Sequence, residues 1–222
     1  MGGNVHTIDV RRGYDLWAAS YDAFDNPLVA MTTVAMRRWQ PTGRRVLELG
    51  CGTGRNARFF LERGFEAYVG VDLSPGMLAR AREQVRDERA RFIHGDAAEA
   101  GELAGFDGAL MSLVLEHVED ITPLLARAAQ AVRPGGWLRV LEIHPRWRAQ
   151  GTRAHFRHEG EELYLPSYIH EVAEFERAMA DDWALVATTD WYADPSASPK
   201  LARNRGQAVL LEVEAVRRSP EA

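Results

Sequence analysis

The sequence predicts an α/β fold on a mostly parallel sheet with helices on both faces, and two observations carry this. Five short stretches, RVLELG, EAYVGVD, RFIHGD, FDGALMSLV and WLRVLEI, are nearly continuous in apolar residues. Strands buried on both faces read in this way, without alternation. Helical patterns separate most of them, as crossover connections between parallel strands require.

The elements follow in order. Asp9 to Asp25 reads as a helix, with Tyr14, Trp17, Tyr21 and Phe24 at helical spacing on one face. Asn26-Pro27 breaks it, and Pro27 opens a second helix to about Gln40. Pro41-Thr42-Gly43 turns into RVLELG, and a helix from Gly54 closes at Gly64. After EAYVGVD, Ser74-Pro75 caps a helix that turns Met77, Leu78, Ala81 and Val85 inward. The helix from Glu119 has the cleanest period: Ile121, Leu124, Leu125, Ala128, Ala129 and Val132. Arg133-Pro134-Gly135-Gly136 ends it and feeds WLRVLEI. Residues 146 to 169 are polar and aperiodic, an inserted cap or long loop. A helix near 170–181 and strands near 183–192 and 207–216 finish the chain.

The formal charge of −5 argues against a dedicated nucleic-acid binder, which carries a basic surplus. One cysteine, Cys51, excludes an intrachain disulfide and fits a reducing cytoplasm. No apolar run approaches the ~20 residues of a membrane span, and the N-terminus lacks a signal-peptide pattern.

The stretch VLELGCGTGRN, Val46 to Asn56, is the most informative. Glycines at a strand end let a ligand approach bare backbone, and phosphate is the usual ligand. The dinucleotide fingerprint is GxGxxG, but Arg55 stands at the third-glycine position and the run reads GxGxG. Glu48, just before the turn, repels a pyrophosphate and attracts an ammonium or sulfonium. Asp72 lies 72 − 52 = 20 residues after the second glycine, where an acid accepts both ribose hydroxyls. Asp72 alone suits a nicotinamide cofactor equally well. The three features together point to a nucleoside with a cationic end, and S-adenosylmethionine is such a molecule.

ELGCGTG, then VDLSPGML, GDAAE, FDGALMSLVLEHVED and RPGGWLRVLE resemble, in that order, the class I S-adenosylmethionine-dependent methyltransferases. The similarity is greatest to the small-molecule group that includes ubiquinone-pathway and malonyl-carrier enzymes, and it covers about residues 14 to 143. It implies a Rossmann-like, doubly wound seven-stranded sheet of order 3-2-1-4-5-7-6 with its last strand antiparallel. One domain over 1–222 is then expected: helices and lid at 1–40, a cofactor-binding core at 41–144, a cap insertion with the last helix at 145–182, and C-terminal strands at 183–222.

By the same resemblance, Gly50 and Gly52 approach the methionine portion of the cofactor and Glu48 holds its ammonium. Asp72 takes the ribose hydroxyls, Leu73 lines the adenine, and Asp96 with Ala97 meets the adenine edge. Ser112 and Leu113 close the floor. YDLWAASYD resembles the family's N-terminal lid, which puts Tyr14 and Tyr21 over cofactor or acceptor, although their helical spacing equally describes core packing. His117 orders the loop beneath the cofactor, at the acceptor's side.

Methyl transfer from a sulfonium is an in-line displacement, so alignment in a water-poor cleft counts most. A hydroxyl or acidic carbon also needs a base, and histidine is poised for that near neutral pH. His144, after the fifth strand, and His170 are the candidates, with a turn-stabilising role for His144 as the alternative. Arg146 and Arg153, in an arginine-rich segment beside His155 and Tyr168, suit a carboxylate or phosphate on the acceptor. No close-spaced ligand pair suggests a metal. Two rivals stand beside a small-molecule methyltransferase, acting as monomer or homodimer: an S-adenosylmethionine-binding protein with a non-methylating reaction such as cyclisation, and a nicotinamide-dependent oxidoreductase. Nucleic-acid methylation is disfavoured, since no Asn-Pro-Pro-aromatic run follows the fourth strand.

Overall fold

A computed structural model describes residues 6–99 and 103–219; the outermost residues of the expected domain, 1–5 and 220–222, lie outside it. In chain order the elements are β1 (His6–Thr7), α1 (Val10–Trp17), α2 (Pro27–Arg38), β2 (Arg45–Leu49), α3 (Arg55–Glu62), β3 (Ala67–Asp72), α4 (Pro75–Gln84) and β4 (Ala90–His94). There follow β5 (Phe106–Ser112), α5 (Thr122–Ala131), β6 (Val132–Ile143), α6 (Pro145–Arg148), β7 (His155–His158), β8 (Glu161–Tyr164), α7 (Val172–Met179), β9 (Trp183–Tyr192) and β10 (Ala208–Arg217).

Seven strands form the main sheet in the order β4-β3-β2-β5-β6-β10-β9. The first five are mutually parallel, and β10 runs antiparallel to both its neighbours, which is the expected Rossmann-like sheet. Two apolar cores cover its faces. Leu47, Leu49, Val69, Val71, Ala109 and Met111 face α5 and α7. Val46, Tyr68 and Leu110, their neighbours in sequence, face α2 and α3. Strict alternation between two buried faces explains why these strands read as continuous apolar runs. Glu48 belongs to the second face, paired in register with Gly70. Among the described residues no helix is long and apolar enough to cross a membrane.

Three segments differ from expectation. The helix read over 9–25 stops at Trp17, and a short 3-10 turn, Tyr21–Ala23, follows. After the break, the exposed Asp22 lies beside the glycine turn, where Thr53 Oγ1 donates to its carboxylate at 2.8 Å. Residues 133–136 do not separate helix from strand: they bulge within β6 opposite Asp107, whose carboxylate accepts from the amides of Arg44 and Arg45 and pairs with Arg133. The segment 146–169 is not a loop. It holds α6 and the β7–β8 hairpin, turned at Glu159 and Gly160 with φ of 50° and 87°.

Strand β1 pairs with β8 in parallel, so the N-terminal segment joins the hairpin in a second, three-stranded sheet. A small separate core of Trp17, Phe156, Leu163 and Leu165 lies between them. The rings of Trp17 and Phe156 stack at 5.0 Å. The segments expected as lid and cap are thus packed together, and side chains tie them to the main domain. Asp15 Oδ1 accepts from Ser74 Oγ at 2.5 Å and from the Gly76 amide at 3.0 Å, at the start of α4.

Candidate active site

The chain goes out from β2 to β3 and β4, then returns to place β5 on β2's other side. A crevice opens at such a switch point, outside the carboxyl ends of the strands. Here it is a cavity of about 350 Å³. Glu48, Gly50 and Gly52 from the end of β2, Asp72 and Leu73 from β3, Asp96 and Ala97 after β4, and Ser112 and Leu113 from β5 all line it. Tyr14 and Tyr21 cover it, and His117 lies along the same wall.

Local chemistry fixes these groups. Gly50, Gly52 and Gly54 have φ of 78°, 52° and 73°, so the turn winds through the left-handed region that other residues avoid. A Cβ on Gly50 would meet Val114 at 2.4 Å, whereas one on Gly52 would meet nothing within 4 Å, because it points into the cavity. The Gly52 amide, which a phosphate would need, instead donates to Asp72 Oδ2 at 2.7 Å. The Ser74 amide donates to Asp72 Oδ1 at 2.9 Å. Burial pushes the Asp72 carboxyl up, against the pull of those two amides.

Glu48 is 1% exposed. The Tyr68 hydroxyl and Asn56 amide donate to its two oxygens. Burial nevertheless raises its pKa from 4.5 to about 7. The donor set therefore fits a nucleoside with a cationic end: acids at both positions, an open glycine between them, and the turn amide already engaged. It does not fit a pyrophosphate.

A second cavity, of about 620 Å³, adjoins the first and shares Tyr14, Tyr21 and Leu113 with it. Trp17, Phe24, Leu28, Ile143 and Trp147 supply apolar walls, and Arg153, His155, Lys200 and Arg203 supply basic groups. Among the described residues Arg153 and Arg203 have no carboxylate within ion-pair distance; Arg153 rests on the Tyr164 ring at 4.2 Å. Lys200 pairs with Asp25 at 3.4 Å.

Between the cavities, Tyr14 Oη lies 2.7 Å from His117 Nε2. His117 Nδ1 lies 2.7 Å from the Pro166 carbonyl, which only accepts, so Nδ1 carries a proton and Nε2 of the neutral ring accepts from Tyr14. Burial, followed by Tyr21 and the carboxylates of Glu116, Asp72 and Glu142, pushes the Tyr14 hydroxyl well up.

Four residues expected at the site line neither cavity. His144 caps α6: its Nδ1 accepts from the Arg146 amide at 3.1 Å and its Nε2 meets Asp190 at 3.2 Å. His170 is spent on Glu174 and the Leu115 carbonyl, at 2.8 and 2.9 Å. With both ring nitrogens engaged and the rings buried, neither is free to meet a ligand in this arrangement. Arg146 is exposed on α6, and Tyr168 donates its amide to the Glu116 carbonyl. Sequence reasoning missed Glu116, Lys200 and Arg203. Lys200, the lysine in a chain otherwise basic through arginine, was the available signal.

Residues 47–140 match a family described as a methyltransferase domain. A demethylmenaquinone methyltransferase of Tropheryma whipplei (strain Twist) is 32% identical over 165 residues, covering 66% of this chain and 68% of that protein. An uncharacterized methyltransferase of Emericella nidulans is 30% identical over 215 residues, covering 77% and 74%. The crystal structure of an S-adenosylmethionine-dependent methyltransferase from Mesorhizobium loti superimposes with a TM-score of 0.71 at 26% identity, covering 87% of this chain and 100% of that one.

Proposed function

The chain belongs to the class I S-adenosylmethionine-dependent methyltransferases of small-molecule type, and on that premise we propose that it methylates an anionic metabolite held in the second cavity. The observation that carries this reading is the junction: Tyr14, Tyr21 and Leu113 line both cavities, so a ligand in each meets the other there.

When bound, S-adenosylmethionine supplies the methyl group on a sulfonium, already activated. In our reading Glu48 holds its ammonium, Asp72 its ribose hydroxyls, and Leu73, Asp96 and Ala97 its adenine. Arg153 meets the acceptor's anionic group, with Arg203 beside it, in place of the exposed Arg146. His155, stacked on Tyr164 at 5.4 Å, flanks them. Tyr14 and His117 take the acceptor's proton: the hydroxyl receives it as its own proton passes to Nε2, and the Pro166 carbonyl steadies the resulting imidazolium. This assigns the base to His117 rather than to His144 or His170.

Labelled methyl transfer onto a panel of carboxylate- and phosphate-bearing metabolites, beside their uncharged esters and amides, tests the proposal. The anionic members are expected to be methylated, with KM rising at least tenfold in Arg153→Ala. His117→Asn is expected to lower kcat about a hundredfold, with S-adenosylhomocysteine affinity unchanged by calorimetry. Equal rates for the uncharged analogues and an unaffected Arg153→Ala would remove the anion clamp. Full activity in His117→Asn would remove the base.

A further inference from the structure

One carboxylate at the junction has no part in the assignments above. Glu116, in the 3-10 turn Leu115–His117, is 5% exposed and lines the second cavity. Its Oε2 accepts from Ser167 Oγ at 2.9 Å. Arg148 holds Ser167 in turn, donating from Nε to Oγ and from a terminal nitrogen to the carbonyl, each at 2.6 Å. Arg148 takes one of the two Oγ lone pairs and anchors the serine, whose hydroxyl donates to Glu116. Its other oxygen, Oε1, makes no hydrogen bond to any described residue and stands 3.9 Å from His117 Nε2.

Glu142 lies behind it, 2% exposed, accepting from the amides of Leu115 and Glu116. Burial and then the Glu116 charge push Glu142 up to about 8, so the two carboxyl groups sense one another across the turn. The cations lining the first cavity include Arg55, but its guanidinium is directed to Thr32 Oγ1 and Ser112 Oγ at 2.8 and 3.2 Å.

We propose that the methyl-accepting atom is an amine nitrogen held by Glu116 Oε1, and that the acceptor is therefore an amine that also carries the anionic group met by Arg153. This rests on the second cavity being the acceptor site. The sign of the charge argues for it. An amine that arrives as an ammonium ion loses one proton through Tyr14 to His117. Its lone pair then forms the C–N bond as the C–S bond breaks, and the electron pair of that bond stays on sulfur. Positive charge moves onto nitrogen beside Glu116, where a buried carboxylate stabilises it. An attacking oxyanion or carbanion would bring negative charge to the same place and be repelled. Burial first, then Tyr21 and the same carboxylate field, push the Tyr14 hydroxyl well up.

Matched isosteres test this: ω-amino, ω-hydroxy and ω-thiol carboxylic acids, aliphatic and aromatic, titrated by calorimetry into protein saturated with S-adenosylhomocysteine and assayed for labelled transfer from S-adenosylmethionine. Amino members are expected to bind at least about tenfold more tightly than their hydroxy partners. Glu116→Gln, which keeps an acceptor oxygen for Ser167 but loses the charge, should abolish that preference and lower transfer at least tenfold. The inference is overturned by preferential binding or methylation of hydroxy or thiol members, by methylation of none of the amines, or by an unchanged amine preference in Glu116→Gln. Leu28→Trp separates the underlying reading, since it puts an indole into the apolar wall of the second cavity. Amine binding that survives it places the acceptor elsewhere, while loss of binding in Leu28→Trp with no effect of Glu116→Gln overturns only the role of Glu116.

Discussion

Glu48 makes cofactor affinity depend on pH in a direction opposite to the stability of the free protein. Its pKa of about 7 means that the free protein binds a proton there which an ammonium ligand must displace. At pH 6 roughly one in eleven Glu48 side chains is ionised, and at pH 7.5 about three in four. If only the carboxylate receives the ammonium, affinity for S-adenosylhomocysteine rises about eightfold between them, or ~1.2 kcal/mol. Glu142 and Glu212 also titrate high, at about 8 and about 7, but neither lines the first cavity. Titration calorimetry at each pH, in phosphate and in a buffer of large ionisation enthalpy, reads both affinity and proton count. Close to one proton, about 0.9, should leave per ligand bound at pH 6. Folding has the other sign. A carboxyl raised from 4.5 in the unfolded chain contributes stability below that value and loses it as pH rises through about 7, so the free protein should melt lower over this range. Glu48→Gln should bind weakly and lose the slope in affinity. A wild-type affinity that is flat from pH 6 to pH 7.5, with no buffer-dependent heat, refutes the assignment of the ammonium to Glu48.

The glycine turn separates binding from folding. Gly52→Ala puts a methyl into open cavity at a φ of 52°, so it should cost only about 1–2 kcal/mol of stability while weakening S-adenosylhomocysteine at least tenfold. Gly50→Ala drives a methyl to 2.4 Å from Val114 and should appear first as a large loss of Tm, in melts with and without ligand. Trp17→Ala removes the centre of the lid–cap core, a site worth about 3–5 kcal/mol. Amide hydrogen exchange should then accelerate across residues 155–164 with β2 and β5 still protected; unchanged protection of the hairpin would show that lid and cap do not depend on each other.

The central sheet was legible because each strand's signal is local: two buried faces make an apolar run, and punctuation such as Ser74-Pro75 marks where the next helix begins. The candidate cofactor corner could be read from the sequence because its first acid and its glycines are neighbours, Glu48 to Gly54. The cap was not, since what organises it is far away in sequence. Strand β8 is completed by His6 and Thr7, and Phe156 by Trp17. One local sign was present and unread: Glu159-Gly160 between HFRH and EELY, a two-residue turn with both φ positive, which suits a hairpin. The histidines misled for a related reason. A residue type announces what it is able to do, but its partners decide what it does. His144 sits where a helix needs a cap, and Asp190, on a strand read separately, takes its other nitrogen.

That dependence on distant partners bears on how the junction is assembled. Tyr14 lies on α1, and α1 is held from both sides. Asp15 ties it to Ser74 and Gly76, one turn from the acid expected to take the ribose, and Trp17 ties it to Phe156 of the cap. The Tyr14 hydroxyl, in contact with His117 at 2.7 Å, is therefore positioned jointly by the glycine corner and by the hairpin segment. His117 is set in the same way, since Pro166, which fixes its tautomer, belongs to the cap segment. A substitution that loosens the hairpin should therefore reach Tyr14 and His117 without touching either cavity's other polar groups. On the proposed function, the groups that set the chemistry are thus split between the glycine corner and the hairpin segment, and the choice of acceptor rests with the second.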